Sequence, residues 1–221
     1  MMAQMDFERA RFNMVEQQIR PWDVLDPQVL ELLSRMRRED FVPEAYRMLA
    51  FADLEIPLGK GEKMLPPKLE ARMLQEIALK PDETVLEVGT GSGYMTALLA
   101  SLSRQVYSVE IVPEFSAAAA EKLRAHAQHN VTLEVGDAAR GWERHAPYDV
   151  IVLTGSVPIL PSAFQASLKP GGRLIAVVGE APVMEAKLIT CVTAGACRSE
   201  SLFETCIPPL RNVLQPERFV F

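Results

Sequence analysis

Apolar residues recur at helical spacing near the start of the chain: Phe12, Val15 and Ile19 share one face until Pro21 interrupts them, which predicts a first amphipathic helix. A second helix is predicted from Asp26 as N-cap and Pro27 at the first helical position, with Val29, Leu30, Leu33 and Met36 as its apolar face. Both precede any strand pattern. They form an N-terminal appendage that must bury its apolar faces against the edge of a main sheet or the mouth of a site. From Phe41 to Pro67 the chain is punctuated by Pro43, Pro57, Gly59, Gly61, Pro66 and Pro67, so little regular helix is expected there. Ile56 to Pro67 reads as a candidate lid or binding loop, the alternative being a connector that wraps the surface.

Leu69, Met73, Leu74, Ile77 and Ala78 predict a third helix, after which strands and helices alternate. Strands are expected at Thr84–Val88, Gln105–Glu110, Val131–Val135, Asp149–Leu153 and Arg173–Val178. Helices are expected at Tyr94–Leu102, Glu114–Gln128 and around Ser162–Leu168. Short apolar strands separated by helices imply βαβ units and a parallel sheet covered on both faces. Lys187–Val192 and Arg198–Phe203 supply two last strands, antiparallel to one another. The fold class is therefore α/β: a doubly wound, mostly parallel Rossmann-like sheet with helices on both faces, plus the N-terminal helical extension. Residues 1–67 hold the helices and the substrate-side loop, and residues 68–221 the Rossmann-like domain, together as one compact unit.

Composition narrows the function classes. The 221 residues are 48% hydrophobic and 24% charged, with a formal net charge of −6, an ordinary globular balance. No apolar run approaches the roughly 18 to 20 residues that span a bilayer. Met1 to Gln18 lacks the apolar core and cleavage site of a secretory signal, so a cytoplasmic location is the expectation. Lys and Arg are dispersed, which disfavours nucleic acid, and Arg35, Arg37 and Arg38 read as a solvated helix end. Cys191, Cys197 and Cys206 form no C-x-x-C pair and are read as free thiols. His126 and His129 read as a solvated helix end, and with His145 they make no convincing ligand set, so no metal is expected.

The chemistry is concentrated in Val85-Leu86-Glu87-Val88-Gly89-Thr90-Gly91-Ser92-Gly93-Tyr94, an apolar strand that runs through three alternate glycines into a helix. Glycines serve where backbone turns with positive φ and approaches a ligand without an intervening Cβ. The next strand ends at Glu110, followed by Ile111, about twenty residues past the loop, where an acidic side chain accepts hydrogen bonds from ribose hydroxyls. The third ends in Gly136-Asp137-Ala138, placing a carboxylate to accept from an exocyclic adenine amine. The fourth ends in Thr154-Gly155-Ser156, where a second substrate meets the nucleotide.

The spacing G-x-G-x-G, preceded by Glu87, differs from the G-x-G-x-x-G of dinucleotide sites and resembles motif I of the class I S-adenosylmethionine-dependent methyltransferases. Leu168-Lys169-Pro170-Gly171-Gly172-Arg173-Leu174 matches that superfamily's turn before a later strand. Within it the chain is similar to the protein-L-isoaspartate O-methyltransferases. The similarity is carried by Ala52-Asp53, Ile56-Pro57-Leu58-Gly59, Val106-Tyr107-Ser108-Val109-Glu110, Gly136-Asp137, Gly141-Trp142 and Ala146-Pro147-Tyr148-Asp149. The resemblance implies S-adenosyl-L-methionine as cofactor, held by Glu87, Gly89, Thr90, Gly91, Gly93, Glu110, Ile111, Asp137 and Ala138. It also implies a protein or peptide partner offering the carboxylate of a damaged aspartyl residue. A small-molecule acceptor on the same fold, and a cofactor-binding domain without catalysis, are the alternatives.

Departures from the family pattern fall on the acceptor side. The family's Gly-Gln-Thr-Ile-Ser-Gln-Pro is here Gly61-Glu62-Lys63-Met64-Leu65-Pro66-Pro67, so its active-site serine is Leu65 and its threonine Lys63. A carboxylate acceptor, with a pKa of about 4, is already ionised at neutral pH and needs no general base. Lys63 is then the candidate to pair with it, with Thr154 or Ser156 donating a hydrogen bond. A neutral acceptor would need a base, for which Glu62 is the candidate.

Overall fold

The computed structural model describes residues 6–193 and 196–217. Helix α1 (Phe7–Met14) starts at Asp6, whose side chain accepts from the Arg9 amide at 3.1 Å, and runs on through a π turn (Val15–Ile19) and a 3₁₀ turn (Arg20–Trp22). The π turn changes which residues face inward: Met14 and Ile19, five apart, are both fully buried. Phe12, expected on the buried face, is 63% exposed, and Arg11 is buried in its place.

Helix α2 (Pro27–Arg35) begins as expected. The Asp26 side chain accepts from the amides of Gln28 and Val29 at 2.8 and 3.2 Å, a cap worth about 0.5–2 kcal/mol. Beyond it Arg38 departs from the solvated-end reading, for it is completely buried, whereas Arg35 is exposed. The stretch expected as a loop is a hairpin. Strands β1 (Ile56–Gly59) and β2 (Glu62–Met64) pair antiparallel, with Pro57 opposite Lys63. Lys60 and Gly61, both at positive φ, make its two-residue turn. Helix α3 (Pro67–Ile77) follows and buries Leu69, Met73, Leu74 and Ile77.

The main sheet is built from β3 (Thr84–Val88), β4 (Gln105–Glu110), β5 (Val131–Val135), β6 (Tyr148–Leu153), β7 (Leu168–Glu180), β8 (Val183–Thr193) and β9 (Ala196–Thr205). Between them run α4 (Tyr94–Leu102), α5 (Pro113–Ala125) and α6 (Ser162–Ala166). The order across the sheet is β5-β4-β3-β6-β7-β8-β9; it is parallel as far as β7, and β8 and β9 then add as antiparallel neighbours. Strand β7 starts five residues earlier than its apolar run, at Leu168, and the Lys169–Gly172 stretch is an irregularity in its pairing with β6.

Residues alternate along the strands between two cores, as parallel strands covered on both faces require. Val85, Val150, Val152, Ile175 and Val177 face one core, in which Met14, Leu33, Phe41, Ile56 and Leu74 also take part. Leu86, Ile151, Leu153, Leu174 and Ala176 face the other, with Phe164. The N-terminal segment thus shares a core with the sheet.

Two smaller expectations are corrected. Cys191 and Cys197 are joined in a disulfide, because the six-residue separation spans the β8–β9 turn and brings them into register opposite one another; Cys206 is free and exposed. His126 is tucked in, its ring 4.8 Å from that of Phe41 and its Nε2 3.3 Å from an Asp40 carboxylate oxygen, while His129 is exposed. Among the described residues no helix is long and apolar enough to cross a membrane.

Candidate active site

Strand order reverses at β3: β4 lies on one side and β6 on the other, a topological switch point whose carboxyl end is where open α/β sheets bind ligands. Register brings the strand ends level there. Val88 pairs with both Val109 and Leu153, and Glu110 with Val135. The Gly89 amide continues the ladder to Val109 O at 2.8 Å, the Thr154 amide to Val88 O at 3.1 Å, and the Gly136 amide to Glu110 O at 2.9 Å.

These ends and the β1–β2 hairpin surround an open cleft. Gly89, Thr90 and Gly91 line it from the loop after β3, Glu110 and Ile111 from the end of β4, and Asp137 and Ala138 from the end of β5. Gly89 has φ +97°, and a Cβ there would overlap the Thr154 hydroxyl oxygen. Thr154 Oγ1 itself bonds the carbonyls of Gly89 (2.6 Å) and Val88 (2.9 Å), so the loop and the end of β6 interlock.

Glu87 and Gly93, also expected to hold the cofactor, do not line the cleft. Glu87 lies beneath the loop, fully buried, and its Oε2 accepts from Ser108 Oγ at 2.6 Å and Thr96 Oγ1 at 2.5 Å. Ser108 Oγ is in turn 2.6 Å from Thr90 Oγ1. This chain of hydroxyls fastens the glycine loop to β4 and α4. Burial pushes the Glu87 carboxyl up to about 8, against the hydrogen bonds from Ser108 and Thr96 and with the help of the Glu110 and Glu70 charges. Glu87 is therefore protonated at neutral pH, and the folded chain holds its proton more tightly than the unfolded chain does. Stability falls as pH rises from about 4.5 towards 8, by up to about 1.4 kcal/mol per pH unit. Glu87→Gln removes that part of the slope; urea unfolding at pH 5, 6.5 and 8.5 is expected to show the variant gaining on the parent at each step.

Glu110, also buried, receives the amides of Gly91 (2.8 Å to Oε2) and Val112 (2.9 Å to Oε1), which aims the carboxylate and leaves lone pairs on both oxygens for hydroxyl donors. Asp137 receives the Ala139 amide at 3.0 Å and the Asn212 side-chain amide at 2.8 Å. Glu70, on the wall of the same cleft, is paired with the buried Arg38. A glycine loop edged by Glu110 and Asp137 suits a ribosyl-adenine group that carries a sulfonium cation. The residues present fit S-adenosylmethionine.

The acceptor side differs from expectation in three places. Ser156 is fully buried and its hydroxyl donates to Ile207 O at 3.0 Å, so it faces no substrate. Thr154 lines the cleft, but its hydroxyl proton is directed at backbone carbonyls. Lys63 stands at the mouth, half-exposed, with Nζ 2.6 Å from Glu55. Glu62 is engaged by Arg211 at 2.6 Å, which leaves it poorly placed as a base. Leu65 is buried; its carbonyl accepts from Arg38 at 2.6 Å.

Sequence reasoning missed two parts of this site. Arg38 carries no local mark of burial, because its partner Glu70 lies 32 residues away. The segment Pro208–Arg211, which closes one side of the cleft, was not anticipated; its adjacent prolines are the signal that the chain there has left the sheet.

Comparison with known proteins agrees with this geometry. A sequence profile of protein-L-isoaspartate(D-aspartate) O-methyltransferase matches residues 9–206. A protein-L-isoaspartate O-methyltransferase of Myxococcus xanthus (strain DK1622) is 46% identical over 156 residues, 71% of this chain and 74% of that protein. One from Synechococcus sp. (strain JA-2-3B'a(2-13)) is 37% identical over 210 residues, 92% and 86% of the two chains. Among solved structures, a protein-L-isoaspartate O-methyltransferase superposes with a TM-score of 0.77 at 23% identity, over 92% of this chain and 65% of its own. A Plasmodium falciparum protein assigned to the same enzymes and solved in complex with S-adenosyl-L-homocysteine superposes with a TM-score of 0.78 at 20% identity, over 94% of this chain and 99% of its own. The switch-point cleft, its acidic strand ends and the profile match across most of the chain lead to one assignment: this chain belongs to the protein-L-isoaspartate(D-aspartate) O-methyltransferase family of S-adenosylmethionine-dependent enzymes.

Proposed function

We propose that the chain methylates the free carboxylate of isoaspartyl residues in proteins and peptides, with the cofactor in the switch-point cleft and the acceptor entering past the β1–β2 hairpin. The observation that carries the reading is the meeting of the glycine loop, Glu110 and Asp137 with a lysine-bearing hairpin at one cleft. S-adenosylmethionine supplies a sulfonium methyl group whose positive charge vanishes as the new C–O bond forms. An ionised carboxylate needs no base. The chain's work is to hold two reactants in line and exclude water, which contributes about 7–11 kcal/mol to such reactions. Glu110 receives the ribose hydroxyls, Asp137 the adenine amine, and the interlocked Gly89–Thr154 pair fixes the floor.

In this reading Lys63 attracts the acceptor carboxylate, exchanging or sharing its partner Glu55. The overall charge of −6 does not recruit an acidic acceptor, so local cations must. Lys63→Met is expected to raise KM for an isoaspartyl peptide about two- to fivefold, the scale of one exposed ion pair. The effect should shrink with added salt and leave cofactor affinity unchanged; an unaltered KM removes Lys63 from the acceptor site.

The function is tested with methyl-tritiated donor and two peptides of one sequence, one with an isoaspartyl and one with a normal aspartyl linkage. Base-labile label is expected on the isoaspartyl peptide alone. Label on neither, with donor still bound, would support a different acceptor.

A further inference from the structure

The segment 207–212 spans the cleft from the hairpin to the end of β5. Its base is fixed to the end of β6. The Ser156 amide donates to Pro208 O and the Leu210 amide to Ser156 O, both at 2.9 Å. A Cβ on Gly155 would come within 2.9 Å of the Leu210 side chain, so the strap lies flat on this turn. From that base two consecutive side chains reach to opposite sides. Arg211 grips the hairpin, Nε to Glu62 at 2.6 Å and a terminal nitrogen to Lys60 O at 2.8 Å. Asn212 turns the other way, at φ +58°, a conformation asparagine tolerates, and its Nδ2 donates to Asp137 Oδ2 at 2.8 Å.

The chemistry of that last bond matters. A planar NH₂ group on an sp² carbon is what Asn212 presents to Asp137, and it is also what adenine presents at its exocyclic position. The other oxygen of Asp137 already takes the Ala139 amide. We propose that Asn212 gates the cofactor site: Asp137 keeps a second lone pair on each oxygen, but the Asn212 amide stands on the one oxygen not held by backbone, so the adenine amine competes with it for that place and the strap yields this bond as the cofactor enters. The proposal rests on the reading of Asp137 as the adenine contact.

The test is binding, not turnover. Calorimetric titration of S-adenosylhomocysteine compares the parent chain with Asn212→Gly, which removes the competing amide and suits the positive φ. The variant is expected to bind about three- to tenfold more tightly, the scale of one solvent-exposed hydrogen bond. S-inosylhomocysteine, in which a carbonyl oxygen replaces the amine, is expected to bind parent and variant alike. Unchanged or weaker binding of S-adenosylhomocysteine by the variant overturns the gate, as does an equal gain for both ligands. Asp137→Asn separates the two layers: if it binds S-adenosylhomocysteine as the parent does, the adenine reading of Asp137 fails and the gate falls with it.

Discussion

Gly89→Ala is expected to weaken S-adenosylhomocysteine binding by at least about a hundredfold, near 3 kcal/mol, while the chain still folds. The backbone at Gly89 has φ +97°, where an L side chain is strained by about 1–3 kcal/mol, and the new methyl group would overlap the Thr154 hydroxyl. Neither side has room to yield. Gly89 is held by its amide to Val109 O, and Thr154 by its amide to Val88 O and its hydroxyl to the Gly89 and Val88 carbonyls. The loop must therefore leave the position at which its backbone faces the cleft. Gly171→Ala is the control. It has φ +79° with nothing within 4 Å of the added Cβ, so it costs about 1–2 kcal/mol of stability and leaves binding intact. Calorimetry and urea unfolding on both variants distinguish loss of the site from loss of the fold.

The second large effect is on stability. Arg38 is fully buried and ties three elements together: its guanidinium donates to Ala50 O at 2.9 Å, to Leu65 O at 2.6 Å and to the Glu70 carboxylate, and it stacks 4.6 Å from the centre of the Tyr94 ring. Burial pushes the Glu70 carboxyl up to about 7, with Arg38 opposing. Arg38→Ala leaves Glu70 without its counter-ion and two carbonyls without donors, and is expected to destabilise the chain by about 3–5 kcal/mol. Arg38→Met combined with Glu70→Leu should recover most of that, since an apolar pair of similar volume replaces a buried ion pair at little cost. A double variant as unstable as Arg38→Ala would show that the guanidinium's bonds to Ala50 and Leu65, rather than the ion pair, hold the hairpin to the core.

The contrast between these two residues shows what the sequence makes legible. Gly89 was visible because its function is local: strand, loop and helix follow one another in ten residues, and Glu110 and Asp137 end the next two strands. The strands themselves were visible because they are buried on both faces and read as short apolar runs. Arg38 was not, because its partners come from residues 50, 65 and 70, and nothing near it in sequence marks it as buried. The β1–β2 hairpin was hidden by Pro57 and Gly59, which break a central strand but are tolerated in a two-stranded ribbon. Phe12 was misplaced because the π turn after Met14 shifts the helical phase. Ser156, directly after β6, has the sequence position of an acceptor contact; only the strap that covers it, with Ile207 receiving its hydroxyl, shows otherwise.

The cleft after β3 holds the methyl donor. Titration of S-adenosylhomocysteine into the purified chain tests it most directly. A single saturable site with 1:1 stoichiometry is expected, at least about a hundredfold weaker in Gly89→Ala and unchanged in Gly171→Ala. No detectable heat of binding, or binding that Gly89→Ala leaves unaltered, would contradict it.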